Sequence, residues 1–407
     1  MGQGMAALGL LLRPARAAGT DLVPAYEKAF AAAVPGDASL PALAFWRGRV
    51  ALWAILRAAG LGDGDEVVLP AFTCESVPMA VKFAGARCAY AEAGAGDFNA
   101  TPETIAAAVS PRTRVILCQH TYGVPLPMAE AAAAAEKSGA MLIEDCCQLV
   151  APAPGAGGPG RTGAAAFFST QWSKPFSTGL GGVAVFRDRA LYEAARSIRD
   201  AFPREGDRRR ARSLALQVFL HALMVRPWTH AVVAGAYRWA QRVRLVRGTT
   251  TADEYGRNMP QDYLARGLNV QAALGMPELA RWQANVEHRR QLTALYLRVL
   301  AEVGAAAPGG MRPGDAMWAV PVQVENKDEI LRQAASQGLP VATWFDVPQA
   351  HVAAGTAARY DYRPGQCPRA ERLMQREVHL MTGPSVSARR AGAAVRFLAA
   401  CARFAEI

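Results

Sequence analysis

From residue 45 onward the apolar positions alternate between amphipathic stretches and short continuous runs, in the order that a parallel α/β sheet requires. Residues 49 to 60, RVALWAILRAAG, carry apolar side chains at helical spacing and stop at Gly60. EVVLP (66 to 70) predicts a strand, ESVPMAVKFAG (75 to 85) a helix and RCAYAE (87 to 92) a second strand. TPETIAAAV (101 to 109) predicts a helix with Thr101 as its N-cap and Glu103 close behind. TRVILCQH (113 to 120) predicts a buried strand that leads into the turn TYGVP. Residues 128 to 139 predict an alanine-rich helix, and AMLIED (140 to 145), AAAFFST (164 to 170) and GGVAVF (181 to 186) predict three more strands. Polar residues recur at strand ends, which describes an open sheet with a site at its carboxyl edge.

The second half has a different pattern. Residues 269 to 301 predict one long helix with charged faces, and WAVPVQV (318 to 324) with a following helix predicts a smaller α+β domain. The expected division is a large α/β domain over 1–255 and a linking helix with the small domain over 256–407. No internal repeat is visible. Residues 204 to 247 stand apart: arginines surround two apolar helical stretches broken at Arg226 and Pro227, with Trp228, Tyr237 and Trp239 among them. That pattern fits a helical hairpin lying on a membrane surface, and equally a lid or dimer element.

Composition narrows the class. A chain of 407 residues, 51% of them hydrophobic, is large enough for an enzyme with a sizeable core. The net charge of +11 comes from scattered arginines without a nucleic-acid motif, so no nucleic-acid partner is expected. The seven cysteines include the adjacent pair Cys146 and Cys147 but no repeated CxxC, which argues against a metal site and against a secreted disulfide framework. The expected compartment is the cytoplasm, with membrane association as the variant that residues 204 to 247 suggest. The opening MGQGMAALGLLLRPARAAG lacks a basic start and a cleavage region, and no apolar stretch reaches the roughly 20 residues of a membrane span.

One residue type is scarce. The lysines are Lys28, Lys82, Lys137, Lys174 and Lys327, against 45 basic side chains in all. Lys174 lies in FFSTQWSKPFSTGLGG, between an apolar run and a Ser/Thr/Gly-rich loop. Arginine keeps its proton, whereas a desolvated lysine can become a neutral amine that attacks a carbonyl. A solvated loop lysine is the plain alternative. Asp145 ends a buried strand in IEDCCQ, where a carboxylate facing the crevice needs a cation such as a protonated pyridine nitrogen. Ser169 ends the FFST strand, where hydroxyls and amides can take a phosphate. Lysine, acid and phosphate site together are the requirements of pyridoxal 5'-phosphate. Taken singly, Asp145 could cap a helix and Ser169 could satisfy a turn.

Several blocks recur in order: GRVALWAILRAAGLGDGDEVVLPAFT, SPRTRVILCQHTYGVPLPM, IEDCCQ, FFSTQWSKPFSTGLGGVAVF, NVQAALGMPEL and AERLMQREVHL. From about residue 45 to about 390 the chain resembles the DegT/DnrJ-type sugar aminotransferases, a branch of the fold type I, aspartate-aminotransferase-like enzymes. The resemblance implies a mainly parallel seven-stranded sheet flanked by helices. It makes Lys174 the Schiff-base lysine and Asp145 the partner of the pyridine nitrogen. Gln148 lies against the ring's oxygen-bearing side and Ser169 against the phosphate. Gly48 and the amides of Arg49 and Val50 open the helix that receives the phosphate. Relatives read SGTAAL where this chain reads RGRVAL, so Arg47 and Arg49 replace hydroxyls; Arg49 either contacts the phosphate or points away. Cys74 stands where many relatives stack an aromatic residue on the ring, Leu264 replaces a phosphate-binding asparagine given by the neighbouring subunit, and Gly383 replaces a late histidine.

The same resemblance implies transfer of an amino group from an amino acid, expected to be glutamate, to a nucleotide-linked keto sugar in polysaccharide or specialised-metabolite synthesis, by a homodimer. His120, Tyr122, Gln349 and His351 are the candidates for the acceptor pocket. A sugar dehydratase of the same fold carries histidine in place of the lysine, and Lys174 argues against it. A non-catalytic membrane-surface protein that retains the fold is the alternative from another class.

Overall fold

Seven strands form one sheet in the order β1-β7-β6-β5-β4-β2-β3. They are β1 (Ala42–Phe45), β2 (Glu66–Pro70), β3 (Arg87–Ala91), β4 (Thr113–Gln119), β5 (Met141–Asp145), β6 (Ala165–Ser169) and β7 (Gly182–Phe186). The pairs from β3 through β6 are parallel, and β7 and β1 add an antiparallel edge. The computed structural model describes residues 2–154, 158–224, 259–305, 309–312, 314–345, 349, 351–353 and 355–405. The strands are buried along nearly their whole length, as expected where helices cover both faces.

Register sets the site. Gln119, Asp145 and Phe167 are neighbours across β4, β5 and β6, and Phe45, Gly182 and Ser169 are neighbours across β1, β7 and β6. The chain leaves β1 at Phe45 and enters the helix Gly48–Ala58 three residues later. That helix buries Val50, Ala51, Leu52, Ala54, Ile55 and Leu56 and packs on β6 and β7. Its first turn is thereby held beside Ser169.

The N-cap at Thr101 forms, and the capping box is closed by Thr104 rather than by an acid. The expected single helix over 269 to 301 is two helices, Asn269–Ala280 and Trp282–Glu302. Pro277 removes one amide from the first ladder, the Arg281 N–H closes a tight turn on Glu278 O at 3.1 Å, and Arg281 leaves helical geometry. Trp282 is then buried against Phe176.

A second, antiparallel sheet has the order β8-β10-β9, with β8 (Ala319–Gln323), β9 (Val341–Ala342) and β10 (Glu377–Met381). The helices Trp282–Glu302 and Ala388–Cys401 pack on one another beside it.

Of the arginine-rich segment, the helix Asp207–Met224 is described. It buries Ala211, Leu214, Ala215 and Val218 with Ala7 and Leu10 of the helix Gly2–Leu11, and leaves Leu216, Leu220, Leu223 and Met224 exposed. The expected break at Arg226 and Pro227, the aromatic residues after it and the expected boundary at residue 255 lie outside the described residues. Among the described residues no helix is long and apolar enough to cross a membrane.

Candidate active site

Strand alternation sends the adjacent acids Glu144 and Asp145 to opposite faces of the sheet. Asp145 is 4% exposed, and its Oδ1 accepts the Cys147 N–H at 2.9 Å. Burial pushes its carboxyl above the usual range, while that hydrogen bond and the charge of Lys174 pull it back down in part. Asp145 therefore sits where a second cation would be welcome.

Glu144 serves the fold. Its Oε1 accepts the N–H groups of Thr162 and Gly163, both at 2.7 Å, and its Oε2 accepts Gly160 N–H at 3.2 Å and faces His120 Nε2 at 3.3 Å. His120 Nδ1 accepts Leu126 N–H at 3.1 Å, so Nε2 carries the proton. His120, Glu144 and Cys146 bring ligand-type atoms within 4.8 Å of one another. With both imidazole nitrogens and both carboxylate oxygens engaged, the trio is a buried hydrogen-bonded pair beside a thiol rather than an open metal site.

After β6 the chain makes a closed loop. Thr170 N–H bonds Gly181 O and Thr178 N–H bonds Thr170 O, both at 2.9 Å, and the two threonine hydroxyls meet at 2.7 Å. Within it the Lys174 N–H bonds Gln171 O at 2.9 Å. Lys174 Nζ stands 5.7 Å from the ring centre of Trp318 and 5.9 Å from that of Trp344. Those indoles form a wall on one side of the amine.

The start of the helix Gly48–Ala58 is pressed against the sheet. A Cβ on Gly48 would lie 2.9 Å from Ser169 Cβ, and one on Gly182 would lie 2.5 Å from Gly48 Cα. Only glycine lets the first turn of the helix come this close to Ser169. Arg47 and Arg49 are both buried. The Arg47 guanidinium lies 4.0 Å over the Tyr263 ring, and that of Arg49 lies 5.8 Å from it with Met79 sulfur at 3.9 Å.

These parts surround one cleft at the carboxyl edge of the sheet. Gly48, Arg49, Cys74, Asp145, Gln148, Ser169 and Lys174 all line it. Val50 does not; its side chain lies in the core. Gln148 Oε1 accepts the Tyr122 N–H at 2.7 Å, and its buried Nε2 has no partner among the described residues. Pyridoxal phosphate fits this donor set. An anion matches the helix start, a ring cation matches Asp145, a ring oxygen matches the orphaned amide, and an aldehyde matches Lys174.

The four acceptor candidates are not among the lining residues. His120 lies under the sheet edge with Glu144, and Tyr122 is fully buried at a φ of 57°. Gln349 Oε1 accepts the Glu75 N–H at 3.3 Å, and His351 Nε2 donates to Ala71 O at 2.9 Å. The sequence reading passed over Gln119, Cys147 and Trp344, which do line the cleft. The first two were within reach of it: Gln119 ends β4 beside Asp145, and Cys147 is two residues past Asp145.

Comparison with known proteins agrees with this geometry. The profile of the DegT/DnrJ/EryC1/StrS aminotransferase family matches residues 16–217 and 232–396. The chain is 36% identical over 154 residues to UDP-N-acetyl-3-dehydro-alpha-D-glucosamine 3-aminotransferase of Acidithiobacillus ferrooxidans, a stretch covering 38% of this chain and 42% of that relative. It is 30% identical over 330 residues to 3-amino-5-hydroxybenzoate synthase of Amycolatopsis mediterranei, covering 77% of this chain and 81% of that relative. The crystal structure of a DegT/DnrJ/EryC1/StrS aminotransferase from Brucella abortus superposes with a TM-score of 0.73 at 20% identity, over 97% of this chain and 94% of that one. With most of its length matched, the chain belongs to the DegT/DnrJ/EryC1/StrS aminotransferase family.

Proposed function

We propose that the protein is a pyridoxal-phosphate-dependent aminotransferase that moves an amino group from an amino acid, with glutamate as the expected donor, to a nucleotide-linked keto sugar. The observation that carries this reading is the convergence of Lys174, Asp145, the Gln148 amide and the Gly48 helix start on one cleft. Sugar acceptors are supported by the family and by the nucleotide-sugar relative.

Pyridoxal phosphate, when bound, supplies an electron sink next to the nitrogen being transferred. The other tasks fall to the chain. The helix start at Gly48, Arg49 and Val50, with Ser169, would hold the phosphate. Asp145 would stabilise a protonated ring nitrogen, and the Gln148 Nε2–H would donate to the ring oxygen. Lys174 Nζ would hold the aldehyde end and would carry the proton that moves to and from the substrate carbon. Trp318 and Trp344 shield that amine from water. The fold type further supports a homodimer.

The test is absorbance titration of the purified protein with pyridoxal phosphate, followed by borohydride reduction and peptide mapping. Label on Lys174, absent in Lys174→Ala, is expected, and glutamate should bleach the near-visible band. A wild-type protein that shows neither band nor label would sink the proposal and favour the non-catalytic reading.

A further inference from the structure

The carbonyls on both sides of Lys174 are held by side chains from the second half of the chain. Trp318 Nε1–H donates to Ser173 O at 2.7 Å, and Asn285 Nδ2–H donates to Pro175 O at 3.0 Å. Both clamping residues are in turn held by one guanidinium. Arg289 Nε–H donates to Asn285 Oδ1 at 2.9 Å, and Arg289 Nη1–H reaches Trp318 O at 3.1 Å and Thr382 Oγ1 at 3.0 Å. Thr382 Oγ1 closes the network, at 2.6 Å from the same Trp318 carbonyl.

We infer that Arg289 is a positioning residue for Lys174, acting through Asn285 on one flank of the lysine and through Trp318 on the other. The inference rests on the reading of Lys174 as the reactive amine.

Three features carry it. The Asn285 amide can face Pro175 with its nitrogen only because its oxygen is committed to Arg289. The Trp318 indole both bonds Ser173 and walls the amine, and the backbone that carries it is pinned by Arg289 and Thr382. Arg289 is also an expensive choice for packing alone: it is 4% exposed, and its acceptors Asn285 Oδ1, Trp318 O and Thr382 Oγ1 are all neutral oxygens, with no carboxylate paired to it among the described residues. A planar fork of fixed donors can address two acceptors at a set angle, which a lysine ammonium or an apolar side chain cannot do.

The full chain is compared as wild type, Asn285→Ala, Trp318→Phe, Arg289→Gln and Arg289→Lys. Two readouts are used: steady-state kinetics with amino donor, and hydrogen exchange of the amides of residues 171 to 179 in the cofactor-free protein. Arg289→Gln is expected to lower kcat roughly tenfold to a hundredfold with little change in KM, the scale of misplacing a catalytic group by about an ångström. It should speed exchange of the Lys174 amide while leaving β4 and β5 protected. Asn285→Ala and Trp318→Phe should each give a smaller loss of the same kind, and Arg289→Lys should recover only part. Combining Asn285→Ala with Trp318→Phe should approach the Arg289→Gln value, and adding Arg289→Gln to that pair should cost little more.

A lowered thermal midpoint in the Arg289 variants with unchanged loop exchange and kcat would overturn the inference, as would full additivity. Should Arg289→Gln fail to fold, the Asn285 and Trp318 variants still decide it. Failure to label Lys174 in the wild type would instead strike the underlying assignment of the reactive amine, while loop exchange would still report on the clamp.

Discussion

The backbone N–H of Tyr122 donates to Gln148 Oε1 at 2.7 Å. Tyr122 adopts a φ of 57°, a left-handed conformation that disfavours a bulky side chain. The bond thus does two things at once: it helps hold a strained turn after β4, and it fixes the Gln148 amide with its nitrogen left for a ligand.

Gln148 variants should separate those roles. Gln148→Glu keeps an acceptor for Tyr122 but removes the donor, and its buried carboxylate should cost about 1–3 kcal/mol of stability. Its Kd for pyridoxal phosphate should rise roughly tenfold, the equivalent of about 1.4 kcal/mol. Gln148→Leu loses both functions and should cost about 1–3 kcal/mol of stability as well. Urea unfolding and absorbance titration measure the two effects; equal cofactor affinity across the three proteins would refute the role given to Nε2.

The helix start is the second place where affinity and packing are linked. A methyl on Gly182 would lie 2.5 Å from Gly48 Cα and 2.6 Å from Arg47 O, which are backbone atoms that cannot swing aside. Gly182→Ala should therefore displace the first turn of the helix Gly48–Ala58 and destabilise by about 1–3 kcal/mol, the usual cost of overpacking. It should also weaken binding of inorganic phosphate, read by calorimetry, more than a surface control such as Gly338→Ala weakens it. Unchanged phosphate affinity in a folded Gly182→Ala protein would count against the anion site.

What the sequence made legible follows from how far apart the interacting residues lie. Asp145, Ser169 and Lys174 sit at or just past strand ends, and strand ends can be read from local pattern, so their convergence on one sheet edge was within reach. Alternation alone says that only one of the neighbours Glu144 and Asp145 faces the cleft, and not which. The four acceptor candidates were picked by residue type, and the side chains of His120, Gln349 and His351 turn out to satisfy backbone groups, while Tyr122 is buried in the aromatic core. Trp318, Trp344 and Arg289 come from elements more than a hundred residues from Lys174, and no local periodicity encodes such contacts. The break at Arg281 was hidden for a different reason: apolar spacing continues through it, and only Pro277 hinted that the helix would stop.

Asp145→Asn isolates the charge in the cleft floor. Asparagine preserves shape and can still accept the Cys147 N–H through its oxygen, so folding should persist. A ring nitrogen would then lose its counter-charge, and kcat should fall roughly 100-fold or more, the scale of breaking a buried charge pair. Borohydride label should remain on Lys174, since the amine itself is untouched. Wild-type turnover in Asp145→Asn would exclude Asp145 from the chemistry.

His351 makes stability depend on pH. Its Nε2–H donates to Ala71 O at 2.9 Å, its ring stacks with Tyr90 at 5.9 Å, and its Nδ1 is buried without a partner among the described residues. Burial lowers its pKa from 6.5 to about 4, and the Ala71 hydrogen bond offsets only part of that. As pH falls below 6.5 the unfolded chain takes up a proton here that the folded chain refuses until about 4. The contribution is complete above pH 6.5 and is lost through that window, reaching about 3 kcal/mol at its lower end, at 1.36 kcal/mol per pKa unit. His351→Gln keeps a donor for Ala71 but cannot titrate, so its urea stability should fall less than that of wild type between pH 7.5 and pH 4. The cleft should feel the same change, because the neighbouring Gln349 bonds the Glu75 N–H just past Cys74, at the edge of the site. If both proteins lose stability in parallel over that range, His351 is not the group that senses acid.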